Sequence, residues 1–138
     1  MFYNLDNILS IDFSNFVSSN VKSTEYMFYG CSSLKTLKLD NFITSSVTNM
    51  GYMFHYCLKL ESLNLKNFDN SSVKNMEYMF SYCESINSFN LNSFNTTSVT
   101  NMEYMFQFCY SIISLDLHSF NTSSVIHMTG MFLFFVNH

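Results

Sequence analysis

The chain contains no arginine and only three glycines among its 138 residues. Its six cationic side chains are all lysine, set against ten carboxylates, and the net charge is −4. No basic patch forms from so few scattered lysines, which excludes the electrostatic footprint of a nucleic-acid-binding protein. Three glycines cannot furnish a glycine-rich phosphate loop. No apolar run approaches the roughly 18 residues that span a bilayer. The opening decapeptide MFYNLDNILS has neither a basic start, nor an apolar centre, nor a small-residue cleavage site, so no secretory leader is read in it.

What the chain has in abundance is repetition. Phe16, Phe42, Phe68, Phe94 and Phe120 are each separated by 26 residues, and so are Val21, Val47, Val73, Val99 and Val125. Cys31, Cys57, Cys83 and Cys109 keep the same step. A fixed period in this range marks a stacked repeat architecture, in which one unit cannot bury its apolar face without its neighbours. The chain therefore divides into a partial repeat 1–15, full repeats 16–41, 42–67, 68–93 and 94–119, and a partial repeat 120–138.

Each unit has two halves. The segments ILSIDF, LKTLKL, LESLNL, INSFNL and IISLDL alternate apolar and polar residues, which predicts five short strands with one buried face. In the other half, Val47, Met50, Met53, Phe54 and Cys57 follow steps of 3, 3, 1 and 3, which predicts an amphipathic helix. Ser45-Ser46, Ser71-Ser72 and Ser123-Ser124 are suited to cap such helices, with Asn49, Asn75 and Asn101 as alternatives. The expected fold is an α/β, leucine-rich-repeat-like right-handed solenoid. A short parallel sheet of five strands lines one face, and helices over 46–57, 72–83 and 98–109 cover the other. Phe42, Phe68, Phe94 and Phe120 are expected to stack inside.

The unit VTNMxYMFxxCxSLxSLxLxxF, carried here by Val47-Thr48-Asn49-Met50, Met53-Phe54, Cys57 and Leu63-x-Leu65-x-x-Phe68, resembles the BspA-like leucine-rich repeats of bacterial surface proteins. It is closest to the 26-residue version found in mycoplasma lipoproteins. The resemblance covers essentially the whole chain, although Thr24 and Gly30 depart from the pattern in the first copy. It implies a module of a larger surface or secreted protein, often linked with adhesion to host components, and a family with no shared catalytic residues.

Two surfaces are candidates for binding a protein partner. Tyr52, Tyr78 and Tyr104 recur at one repeat position, and Tyr56, Tyr82 and Phe108 follow four residues later, so an aromatic stripe is expected on the helical side. On the strand side, Lys38, Asn64, Asn90 and Asp116 form one exposed row. The competing reading of the rings is that they seal one repeat against the next. The four cysteines share a position occupied elsewhere by Leu5 and Phe135, so they read as buried thiols; helices 8–10 Å apart (a typical packing distance) would hold them beyond disulfide reach. The sequons at Asn70, Asn95 and Asn121 read as turn residues.

The four histidines fall at four different repeat positions, and no nucleophile–base pair recurs beside the cysteines. No cofactor or metal site is read, and an enzyme is the least favoured function. A structural spacer, or a truncated repeat fragment without its own binding activity, is the main alternative to an interaction module. The chain opens and closes within a repeat, so it is expected to be a piece or degenerate copy of a longer array, with end-to-end self-association of its uncovered terminal units.

Overall fold

The organising element is an eight-residue run, Met50-Gly51-Tyr52-Met53-Phe54-His55-Tyr56-Cys57, with counterparts at 24–31, 76–83, 102–109 and 128–135. A computed structural model describes residues 2–135, and in it the run is a chain of tight turns. Met53 N–H donates to Met50 C=O, His55 to Tyr52, and Cys57 to Phe54. Tyr52 and Tyr56 stand at the third place of their turns with φ of 57° and 62°. That is the position where a type II turn demands a positive φ.

The remaining N–H groups leave the run. Those of Met50, Tyr52, Phe54 and Tyr56 donate to the carbonyls of Asn75, Glu77, Met79 and Ser81, one repeat ahead, at 2.9–3.0 Å. The runs at 76–83 and 102–109 do the same to their successors. Alternate N–H groups thus close turns within a repeat or tie it to the next, and with Gly51 N–H on Asn49 Oδ1 every N–H of the run is paired. Isolated parallel bridges, Ser23 to Asn49 to Asn75 to Asn101 to His127, continue the same 26-residue register.

The strand flank is less regular. Strand β1 (Ser10–Asp12) pairs in parallel with β2 (Thr36–Lys38), and β3 (Ser88–Phe89) with β4 (Ser114–Leu115), as two separate sheets. Residues 60–65 form no strand. Between the flanks lies one apolar core extending from Phe13 to Met131. Phe80 is fully buried, stacked on Phe54 at 5.7 Å and on Phe106 at 5.5 Å. Phe42, Phe68 and Phe94 are buried, while Phe120 is partly so and stacks on Phe94 at 6.3 Å.

These findings correct the expected class. The described residues contain no helix, so the α/β assignment falls, and with it the helices over 46–57, 72–83 and 98–109 and the leucine-rich-repeat-like right-handed solenoid they were to complete. The five-stranded sheet is replaced by two pairs of strands two or three residues long. The physical reason is the positive φ at every fourth residue, which reverses the chain where a helix would continue. Asn49, Asn75 and Asn101 do accept local N–H bonds, from Gly51, Glu77 and Glu103, but they cap turns rather than helices. Met1 and His138, which entered the reading of the ends, lie outside the described residues.

Candidate functional site

Placing an aromatic residue at the third place of each turn aims two rows of rings outward. Tyr26, Tyr52, Tyr78 and Tyr104 stack at 4.7, 4.8 and 4.7 Å between centroids. Tyr56, Tyr82, Phe108 and Phe134 form the second row, at 4.2, 4.4 and 5.0 Å. Among the described residues, eight of the nine non-glycine residues with positive φ are these rings. Each such residue costs about 1–2 kcal/mol, and favourable ring stacking returns about 0.5–1.5 kcal/mol per pair beyond the area it buries. The two terms nearly cancel, so the ladder persists because its backbone bonds and ring contacts reinforce each other.

Glycine appears where a row runs out. Gly130 takes the place after Tyr104, and a side chain there would overlap the Tyr104 ring. Gly30 takes the place between Asn4 and Tyr56, against the Asn4 amide.

The six candidate aromatics, Tyr52, Tyr78, Tyr104, Tyr56, Tyr82 and Phe108, therefore lie on one face, partly exposed. Burial raises the Tyr52 phenol to about 12, with the Glu77 carboxylate adding to the shift. The Tyr82 phenol is raised to about 12 by burial and by its contact with the Tyr56 hydroxyl. These phenols stay neutral across the physiological range.

Beside the first row run Glu25, Glu77 and Glu103. Glu77 is held between two amides, with Asn101 Nδ2 donating at 2.9 Å and Asn75 Nδ2 at 3.4 Å. Between the rows sit Tyr29, His55, Ser81 and Gln107, of which His55 and Ser81 are buried. Sequence reading passed over this middle row because its four residues share no chemistry; the period placed them, but nothing in their identities marked the position.

Of the strand-side row only Lys38 lies in a strand, and the row is locally satisfied. Lys38 pairs with Asp12 at 3.2 Å, and Asn64 donates to Asp40 at 2.8 Å. Asn90 and Asp116 each accept the backbone N–H two residues on. All four are exposed, and none projects an apolar or aromatic surface. Among the described residues no three His, Cys, Asp or Glu side chains are grouped to hold a metal ion. Among the described residues no helix is long and apolar enough to cross a membrane.

The cysteines are free and buried, each Sγ donating to a carbonyl of the preceding repeat. Cys57 reaches Phe28 at 3.3 Å, Cys83 reaches Phe54 at 3.4 Å, and Cys109 reaches Phe80 at 3.2 Å. Burial pushes the Cys109 thiol up to about 12 and the Cys83 thiol well above its ordinary range. Thiolate formation is therefore suppressed. The helix separation that was to keep the thiols apart does not exist here; burial is what disfavours their reactive thiolate form.

One polar position behaves differently. Thr44 Oγ1 accepts from Asp69 N–H at 2.8 Å and donates to Asp69 C=O at 3.1 Å, and Thr96 does the same with Asn121 at 2.7 and 3.0 Å. Asn70 occupies this position in the intervening repeat, 1% exposed, with neither amide atom paired. Asn95 and Asn121, in the other sequons, are exposed and accept the N–H of Thr97 and Ser123.

Residues 1–109 match the family model described as a Mycoplasma protein of unknown function, DUF285. No curated protein matches the chain, and no solved structure does.

Proposed function

The chain belongs to this Mycoplasma family of unknown function, and from that premise we propose that it is a non-enzymatic interaction module whose aromatic face receives a protein partner. The resemblance of its repeat to BspA-like sequences supports a place on a surface-exposed or secreted protein, with adhesion as the outcome. The observation that carries the reading is the double row of rings. Glycine would serve each turn without strain, yet the chain keeps large aromatic residues there, at the outer surface and at positive φ. Tyrosine-rich surfaces give large contact area at low side-chain entropy cost. The strand-side row has no comparable anchor.

A second reading rests on the same stacks: the rings hold neighbouring repeats together and the array is a spacer. The triple variant Tyr52→Ser, Tyr78→Ser, Tyr104→Ser separates the two. Its binding to immobilised extracellular-matrix and cell-surface proteins is measured beside its cooperative unfolding. Lost binding with retained folding supports the module, and loss of folding supports the spacer. Unchanged binding removes the aromatic face as the site. Substituting Lys38, Asn64, Asn90 and Asp116 with alanine is expected to leave binding intact. Turnover by the purified chain in a screen of hydrolase and transferase substrates would overturn the non-enzymatic reading.

A further inference from the structure

We propose that His55 is an acid-sensitive latch within the aromatic face: on taking up a proton from solvent it destabilises the ring cage around it and opens the face between the runs at 50–57 and 76–83. The geometry is specific to this repeat. His55 stacks on Tyr29 at 5.3 Å and meets Tyr52, Tyr56, Tyr78 and Tyr82 edge-on at 5.5, 4.7, 5.5 and 5.7 Å. It is 7% exposed, and its Nδ1 is buried with no hydrogen-bond partner. The groups that face it are these five tyrosines. The Ser81 backbone is the one neighbour that favours the charged ring, and burial outweighs it.

Whichever ring nitrogen takes up the proton, the Nδ1–H of the imidazolium is left without an acceptor, and the cation is largely withdrawn from water. Two effects compete. Aromatic faces attract a cation within about 6 Å, whereas desolvation penalises the charged form. Desolvation prevails here and lowers the His55 pKa from 6.5 to about 4. The sign then follows: the folded chain holds its proton less tightly than the unfolded chain. Stability is complete above the unfolded value of about 6.5 and is lost as pH falls toward 4. Elsewhere in the same row stand Tyr29, Ser81 and Gln107, none of which gains charge on acidification. Acid sensitivity of this origin is confined to one place along the face.

The repeat itself supplies the test. His55→Gln and His55→Ser install the residues that the row carries at Gln107 and Ser81. Urea unfolding of the full chain is followed by tyrosine fluorescence at pH 7.5 and pH 4.5. Carboxylate titration affects all variants alike, so the difference between them isolates the imidazole. The wild type is expected to lose about tenfold to a hundredfold more in its folding equilibrium than either variant. Parallel pH profiles for wild type and variants would overturn the proposal. Should both variants fail to fold, an NMR titration of the His55 ring in the wild type decides: a value well below 6.5 upholds the latch, and one at or above 6.5 refutes it.

Discussion

On the turn flank, the runs at 50–57, 76–83 and 102–109 send their N–H groups to the next repeat at 2.8–3.1 Å, without a break. On the strand flank, β1–β2 and β3–β4 are separate, and residues 60–65 between them contribute Glu61 N–H to Lys35 C=O at 3.2 Å but no strand. Both flanks are built by one period, and Leu60, Leu63 and Leu65 are as buried as a strand would make them. What distinguishes them is side-chain support. The turn flank has rings stacked repeat upon repeat on both its outer and inner sides, whereas the strand flank exposes short polar residues on its outer side. Repeated burial aligns the chain, and cross-repeat hydrogen bonding becomes continuous where contacts on both faces fix the register.

The largest blow to this contrast comes from inside the turn flank. Phe80→Ala should cost about 3–5 kcal/mol, because the ring is fully buried between two stacked neighbours. Leu63→Ala, on the strand flank, should cost about 2–3 kcal/mol, since its surroundings can relax. Urea denaturation of both variants checks the pair, and equal losses would erase the distinction. A sharper version exploits the backbone. Tyr78→Ala should destabilise by about 1–3 kcal/mol by removing a ring stacked on both sides while keeping the strain. Tyr78→Gly should be the milder change by about 1 kcal/mol, inverting the usual order. If alanine is the milder of the two, φ at Tyr78 is not what the turn ladder requires. The smallest effect is a gain. Asn70→Thr restores the hydroxyl bridge seen at Thr44 and Thr96, and should stabilise by about 1 kcal/mol in the same assay. No gain would mean that the asparagine amide is satisfied in solution.

The 26-residue register, the buried phenylalanines and the buried thiol row were all legible, because periodic burial leaves periodic residue types. The turn conformation was not. Met50, Met53, Phe54 and Cys57 fit a helix of 3.6 residues per turn, but the true local period is four, written as Met-x-Tyr-Met followed by Phe-x-Tyr-Cys. Over two turns the two templates differ by less than one residue. Tyrosine at positive φ gives no warning either, since glycine is the residue that signals it. The one hint was already present: Gly30 and Gly130 stand in the tyrosine rows. A position that alternates between tyrosine and glycine is marked by backbone shape rather than by side-chain chemistry. The sequence spacing of four put Tyr52 and Tyr56 on one helical face; in the structure they share a face as third residues of successive turns, with the His55 ring between them.

The shared direction of the four cross-repeat bonds made by each run has an electrostatic consequence. In an ordinary sheet, donors and acceptors alternate along each edge and their dipoles largely cancel. Here the four cross-repeat N–H groups of each run point toward higher residue numbers and outnumber the reverse bonds just before it, such as Lys74 N–H to Thr48 C=O. The peptide dipoles therefore add from repeat to repeat, giving the array a positive and a negative pole on this flank, as along a helix but built across separate segments. A unit added at the high-numbered pole must present carbonyls to meet it. An inverted unit would bring N–H against N–H and be repelled, so growth of such an array is vectorial.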